Sequence, residues 1–250
     1  MDIDLDFFVW PVVYRAQGAD RPLAKDHSVK PIDEAIDYLR TRCGLSERLP
    51  GFVTENHSEL FGRWREAVGN GLLRPPFHVT HLDAHADLGM GDGGYEYLLT
   101  SLLFEPPEQR LLPMVDRDRG LTDGNWLLFA IACRWISDLI YVHDTGGGSD
   151  ELRYVMQNFD LRADNIQLAA MTKSQLDRVR RPAAGPPNIS DFEPPVRYQS
   201  CLAEAFETDG PYDFICLTRS PPYTPNTADP LFDEIVRLFI EPIHLPTAQD

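Results

Sequence analysis

Four residues within a run of seven could do chemistry: His81-Leu-Asp83-Ala-His85-Ala-Asp87. On an extended backbone, positions i, i+2 and i+4 project from one face, so Asp83, His85 and Asp87 would gather two carboxylates and an imidazole about one point. Oxygen and nitrogen donors in that mixture suit a hard-to-borderline divalent ion, Mn²⁺ first, with Zn²⁺ or Fe²⁺ as alternatives. Without a cation, like charges this close repel strongly in a partly buried site. The plain alternative is a polar strand end with capping aspartates. A second acidic run opens the sequence, with Asp2, Asp4 and Asp6 alternating against Ile3, Leu5 and Phe7. That period is a strand's, yet aspartate is a poor strand former, so three carboxylates on one face work against folding unless function requires them. With His57 of Asn56-His57-Ser58, the two acidic strand ends offer enough ligands for two ions about 3.5–4 Å apart with a bridging water or hydroxide.

The elements that must position these groups follow from periodicity. Pro31-Ile-Asp-Glu starts a helix, with Pro near its first position and acids in its first turn, and Gly44 stops it. A helical pattern runs from Leu60 to Val68, and an apolar helix runs from Trp126 to about Trp135. Strands are expected over Met1–Phe8, Pro76–Thr80, Asp138–Val142, Asn165–Ala169 and Tyr212–Leu217, with a last helix from Asp229 to about Phe239. A glycine-rich loop at Gly89–Gly94, a charged exposed stretch at Asp116–Asp123 and a proline-rich loop or flap at 181–195 separate them. Strands alternating with helices predict a three-layer α/β/α fold with a mainly parallel sheet, whose functional residues collect beyond the carboxyl ends of the strands. One domain over residues 1–243 and a frayed tail at 244–250 are the expected organisation.

Composition narrows the partners. Of 250 residues, 43% are hydrophobic, and 23 Lys and Arg stand against 39 Asp and Glu, a formal net charge of −16. Nucleic acid and anionic membranes are poor partners for such a chain, and a cationic substrate is favoured. Cys43, Cys133, Cys201 and Cys216 form no CxxC pair and read as buried, reduced thiols. No apolar stretch approaches the ~20 residues of a membrane helix, and the acidic amino terminus lacks a signal peptide's basic head. The expectation is a cytoplasmic enzyme or binding protein whose oligomeric state is open, a homo-oligomer included.

Asp83-Ala-His85-Ala-Asp87 resembles the Asp-Ala-His-x-Asp signature of the arginase/agmatinase (ureohydrolase) superfamily. The amino-terminal Asp-x-Asp resembles that superfamily's second metal motif, and Asn56-His57-Ser58 is similar to the Asp-His-Ser segment carrying its first histidine ligand. Gly124-Asn125-Trp126 is weakly similar to a Gly-Asn stretch near its proton-handling histidine. Here Asp-x-Asp comes first in the chain rather than last, a circularly permuted order that a doubly wound sheet with nearby termini tolerates. Together with the late Ser220-Pro-Pro-Tyr-Thr-Pro225, the pattern looks most like the arginase-like peptide arginases, which convert arginine side chains of ribosomally made peptides to ornithine.

The resemblance implies an arginase/deacetylase-like fold, two Mn²⁺ ions per chain, an arginine-containing precursor peptide as partner, and hydrolysis by an activated bridging water. It makes Asp83 and one aspartate of the first strand bridging ligands. His57 and Asp87 complete one site; His85 and the other first-strand aspartate complete the second. Both Asp2/Asp4 and Asp4/Asp6 remain open as the first-strand pair. No histidine stands where ureohydrolases place their proton shuttle, so Asp6, if unligated, and His81 are candidates for catalytic roles, as is Asn125. Glu55, Asn125 and Ser220 are candidates for substrate contact, Glu55 because planar guanidinium favours bidentate carboxylates. Two rivals stand beside this reading: a deacetylase or amidohydrolase of a cationic substrate, and a metal-stabilised binder of cationic peptides.

Overall fold

The structure is a computed structural model that describes residues 1–14, 18, 20–89, 93–110, 120–148, 151–181 and 187–244. Among the described residues, ten strands are β1 (Asp2–Asp4), β2 (Val9–Trp10), β3 (Ser28–Val29), β4 (Leu49–Thr54), β5 (Phe77–Leu82), β6 (Ile136–His143), β7 (Asn165–Ile166), β8 (Val196–Leu202), β9 (Ile215–Thr218) and β10 (Ile240–Pro242). The same residues form six α-helices, α1 (Ile32–Thr41), α2 (His57–Gly69), α3 (Gly94–Thr100), α4 (Trp126–Ala132), α5 (Lys173–Val179) and α6 (Asp229–Phe239). Eight strands form one sheet in the order β10-β4-β9-β1-β5-β6-β8-β7, while β2 and β3 make a small separate ribbon. Every pairing in the main sheet is parallel except that of β7 with β8. The three-layer α/β/α architecture expected from the sequence is the one observed.

Alternation along the central strands divides the core into two layers. Val79, Leu139, Tyr141 and Cys216 face the layer that holds α2, α3, α4 and α5, with Leu60, Trp64 and Trp126. Ile3, Leu82, Val142, Ile215 and Leu217 face the opposite layer, built on Leu39 of α1 and on Phe232 and Ile235 of α6. Buried on both faces, these strands read as apolar runs rather than as clean alternation. Each fully buried Leu, Ile or Phe of α6 contributes roughly 1.5–3 kcal/mol of transfer free energy.

Three expectations change. The opening strand is short: β1 ends at Asp4 and Leu5–Phe8 form a 3₁₀ turn, because the Asp4 carboxylate accepts the Asp6 N–H at 2.9 Å and caps that turn. Asp6 therefore leaves the strand face shared by Asp2 and Asp4. Sequence periodicity also missed β4, whose Pro50 and Gly51 resemble a loop, and β8, whose polar Arg197, Gln199 and Ser200 hide its pattern. Of the 181–195 loop, residues 182–186 lie outside the described residues. Within the rest, Glu193 is fastened by Arg110 at 2.8 Å and Arg134 at 2.7 Å and by a backbone bond to Leu168, so this part is no free flap. The tail from 245, Met90–Asp92 of the glycine loop and residues 116–119 of the charged stretch likewise lie outside the described residues.

Candidate metal centre

Three strands in the middle of the sheet, β4, β1 and β5, deliver the candidate ligands, and β9, between β4 and β1, brings Ser220 beside them. Asp4 is the last residue of β1, and Asp6 follows in the 3₁₀ turn. His57 is the first residue of α2, directly after β4, where Asn56 caps the helix by accepting the Glu59 N–H at 2.9 Å. Asp83 follows the last residue of β5. From there the chain turns rather than runs extended: Asp83 Oδ1 accepts the His85 N–H at 2.7 Å, and Asp87 adopts a left-handed φ of 53°. The side chains converge as the sequence suggested, through a folded loop instead of a pleat.

Among the described residues, three overlapping donor groups share Asp83: Asp4 with His57, Asp6 with His85, and His81 with Asp87, the donor atoms of each group lying within 4.8 Å of one another. His57 Nδ1 lies 3.0 Å from Asp87 Oδ2, 3.4 Å from Asp4 Oδ2 and 3.9 Å from Asp83 Oδ2. His85 Nδ1 lies 3.1 Å from Asp6 Oδ2 and 3.5 Å from Asp83 Oδ1. Deeper in the sheet, Asp2 Oδ2 sits 2.7 Å from His81 Nδ1 and 3.4 Å from His57 Nε2, while His81 Nε2 faces Asp83 Oδ2 at 3.2 Å. Buried Asp and His groups, Asp2, His57, His81, Asp83 and Asp87 among them, are positioned to hold a metal ion.

The cluster's electrostatics call for a cation. Burial pushes the Asp4 carboxyl up, and the charges of Asp6 and Asp83 push it further. Burial and the Asp83 charge likewise raise Asp87. Burial also opposes ionisation of Asp2 and Asp6, but His57 and His85, respectively, more than offset it, leaving both below the usual carboxylate range. For the histidines burial disfavours the charged form, and neighbouring carboxylates overcome it. The neighbouring carboxylates of Asp2 and Asp83 bring His81 up to about 10, Asp2 and Asp87 raise His57, and Asp6 raises His85. Among the described residues, four buried atoms of this cluster, Asp2 Oδ1, Asp6 Oδ2, His57 Nε2 and His81 Nε2, have no hydrogen-bond partner. Orphaned buried polar atoms are rare in native proteins and point to an absent ion or water. Carboxylate and imidazole donors of this kind fit Mn²⁺, Fe²⁺ or Zn²⁺.

Surrounding residues aim the donors. Ser220, held at a left-handed φ of 47° after β9, donates its hydroxyl to Asp4 Oδ2. Trp126 donates its indole N–H to Asp87 Oδ2 at 2.7 Å, and its ring stacks on His57 at 5.0 Å between centroids. The Ala84 N–H reaches Asp6 Oδ1 at 3.2 Å. Trp126 was missed in the sequence because a tryptophan opening an apolar helix reads as core, and Tyr223 because it lies in a proline-rich loop. The Tyr223 ring lies 5.1 Å from that of His85, and Tyr14 lies 6.5 Å away.

The remaining candidates fall at different distances from this centre. Ser220 touches a cluster carboxylate, as above. Asn125 accepts the Thr122 N–H at 2.8 Å and donates to the Gly120 carbonyl at 3.0 Å, bracing the loop before α4. Glu55 sits on the exposed rim and does pair with a guanidinium, that of the protein's own Arg219, at 3.0 Å. Asp6 lies beside His85, 3.1 Å from its Nδ1, and accepts the Ala84 N–H. Asp4 and Asp6 group with Asp83 as one pair, while Asp2 groups with His57 and His81. The four cysteines are unpaired thiols. Among the described residues, no helix is long and apolar enough to cross a membrane. No protein-family model matches the chain, and no curated protein matches it significantly.

Proposed function

We propose that this protein is a binuclear-manganese hydrolase that converts arginine side chains of a peptide to ornithine and releases urea. The observation that carries the reading is two of the donor groups that share Asp83, one completed by Asp4 and His57 beside Asp87, the other by Asp6 and His85. A single structural ion needs about four ligands, and this centre offers more than that from three strand ends.

Asp4, His57, Asp83 and Asp87 would hold one ion, and Asp6, Asp83 and His85 the other. When bound, the pair would supply Lewis acidity and generate a nucleophile from water at neutral pH. Ser220 and Trp126 keep the carboxylates of Asp4 and Asp87 aimed, so that neither must reorganise during turnover. His85 is the most exposed of the clustered histidines, at 24% of its side chain, and marks the direction of approach. Tyr14 and Tyr223 flank it, and aromatic faces of this kind favour a guanidinium. Asp123 adds a carboxylate near the start of α2, where it accepts the Ser58 N–H, while Glu55 at the rim is already paired with Arg219. In the overall reaction water adds to the guanidinium carbon, the bond from that carbon to the side-chain nitrogen breaks, and the nitrogen leaves as the ornithine amine.

Incubating Mn²⁺-loaded protein with free arginine, agmatine and arginine-containing peptides, with urea assay and mass spectrometry, tests this. The expected result is urea release together with loss of CH₂N₂ per modified arginine in a peptide. Absence of urea with all three substrate classes would remove the hydrolase reading and leave a metal-stabilised binder of cationic peptides.

A further inference from the structure

We infer that Asp2 and His81 do not touch the metal ions but form a buried brace beneath them, which holds the ligands His57 and Asp83 in their binding orientation. The inference rests on the metal-binding part of the function proposed above and is independent of what the centre hydrolyses.

Sheet register places the brace below the centre. Asp2 pairs with His81 across β1 and β5, whereas Asp4 pairs with Thr218 and Asp83 lies past the end of β5. Two residues of strand separate the Asp2 level from the Asp4 level, roughly 6.5 Å along the chain. Asp2 and His81 are both fully buried.

The orientation of His57 supports the same division. A neutral imidazole offers one lone pair and one N–H. Nδ1 of His57 faces three carboxylates, those of Asp4, Asp83 and Asp87, which is where a cation is attracted. Its Nε2 points the opposite way, 3.4 Å from Asp2 Oδ2, and has no other partner. Asp2 is therefore placed to accept the Nε2–H and fix the tautomer that leaves Nδ1 free for the ion. The same Asp2 oxygen is 2.7 Å from His81 Nδ1, and His81 Nε2 faces Asp83 Oδ2 at 3.2 Å. The connection thus runs from ligand His57 through Asp2 and His81 to the shared ligand Asp83. Partners of metal-bound histidines act in this way, and losing one typically weakens metal binding 10–100-fold.

The test is Mn²⁺ titration of wild-type and Asp2→Asn protein, reading stoichiometry and affinity without any substrate. The brace requires unchanged stoichiometry with affinity weakened about 10–100-fold in Asp2→Asn. Loss of a bound equivalent would make Asp2 a ligand, and unchanged affinity would make it a bystander; either overturns the inference. Should Asp2→Asn not fold, NMR of the wild-type protein loaded with Co²⁺ and labelled at histidine nitrogen decides. A paramagnetically shifted, exchange-protected His57 Nε2–H is expected, and its absence overturns the brace. Wild-type protein that takes up ions but releases no urea would defeat the hydrolase reading alone, whereas failure to take up ions defeats both.

Discussion

The indole N–H of Trp126 meets Asp87 Oδ2 at 2.7 Å, and the same oxygen stands 3.0 Å from His57 Nδ1. One aromatic residue thus holds a carboxylate by hydrogen bonding and an imidazole by stacking, at the first residue of a helix that is otherwise core. Trp126→Phe keeps an aromatic ring and removes the donor. Its expected effect is an approximately 10–100-fold weaker Mn²⁺ affinity, with a lower thermal midpoint of metal-free protein because the smaller ring leaves a cavity in the buried core, checked by titration and by melting curves.

Ser220 is expected to be just as sensitive to small changes. Ser220→Ala removes the hydroxyl that Asp4 accepts while leaving the turn nearly unchanged, and should weaken metal binding within the same range of about 10–100-fold. Ser220→Gly relieves the left-handed backbone as well, so it should lose affinity while gaining stability relative to Ser220→Ala. Equal affinity for wild-type and Ser220→Ala, measured by titration, would detach the serine from the centre.

The metal-free and metal-loaded proteins should respond to pH in opposite senses. His81 titrates at about 10 in the folded chain, against an ordinary value near 6.5. Its contribution to stability is full below about 6.5 and is lost as pH rises through about 10. His57 and His85 are also raised, and raised carboxylates at Asp4 and Asp87 act in the same direction. Urea midpoints of chelator-treated protein should therefore fall as pH rises. Ion binding displaces protons from His57 and His85, so the extra stability conferred by Mn²⁺ should grow over roughly pH 6.5 to 8. A metal increment that shrinks over this interval would contradict ligation by these histidines.

Tyr223→Leu separates entry from metal holding. The ring flanks His85 without bonding a carboxylate of the cluster. Loss of an exposed cation–π contact is worth about 0.5–1 kcal/mol. That predicts a several-fold higher KM for an arginine peptide, with unchanged Mn²⁺ stoichiometry and little change in kcat.

Much of this centre was legible in the sequence, because metal chemistry restricts residue types more tightly than folding does. Asp83, His85 and Asp87 declared themselves by type and spacing, and His57 by its neighbours Asn56 and Ser58. The parallel α/β fold followed from apolar runs alternating with helical periods. What stayed hidden was three-dimensional. Period-two alternation from Asp2 to Asp6 looks the same whether or not a 3₁₀ turn interrupts it after Asp4, so the different positions of Asp2 and Asp6 were invisible. β4 and β8 lacked a pattern because sheet pairing overrode poor strand residues. Trp126 and Tyr223 lie within the stretches Gly124–Trp126 and Ser220–Pro225, but only the packing around His57 and His85 gives either side chain a role.

β1 also lies between β9 and β5 in the middle of the sheet. Asp4 is held by Ser220, 216 residues further along the chain. Contacts of such sequence separation form late and slowly, because the entropy of closing so long a loop must be overcome before they contribute. The proposed ligands all lie within residues 4–87, where β1 pairs with β5. The hydroxyl that aims Asp4 comes from the far side of the long loop, beyond β9, so the ligand set can assemble before the contact that sets its final geometry.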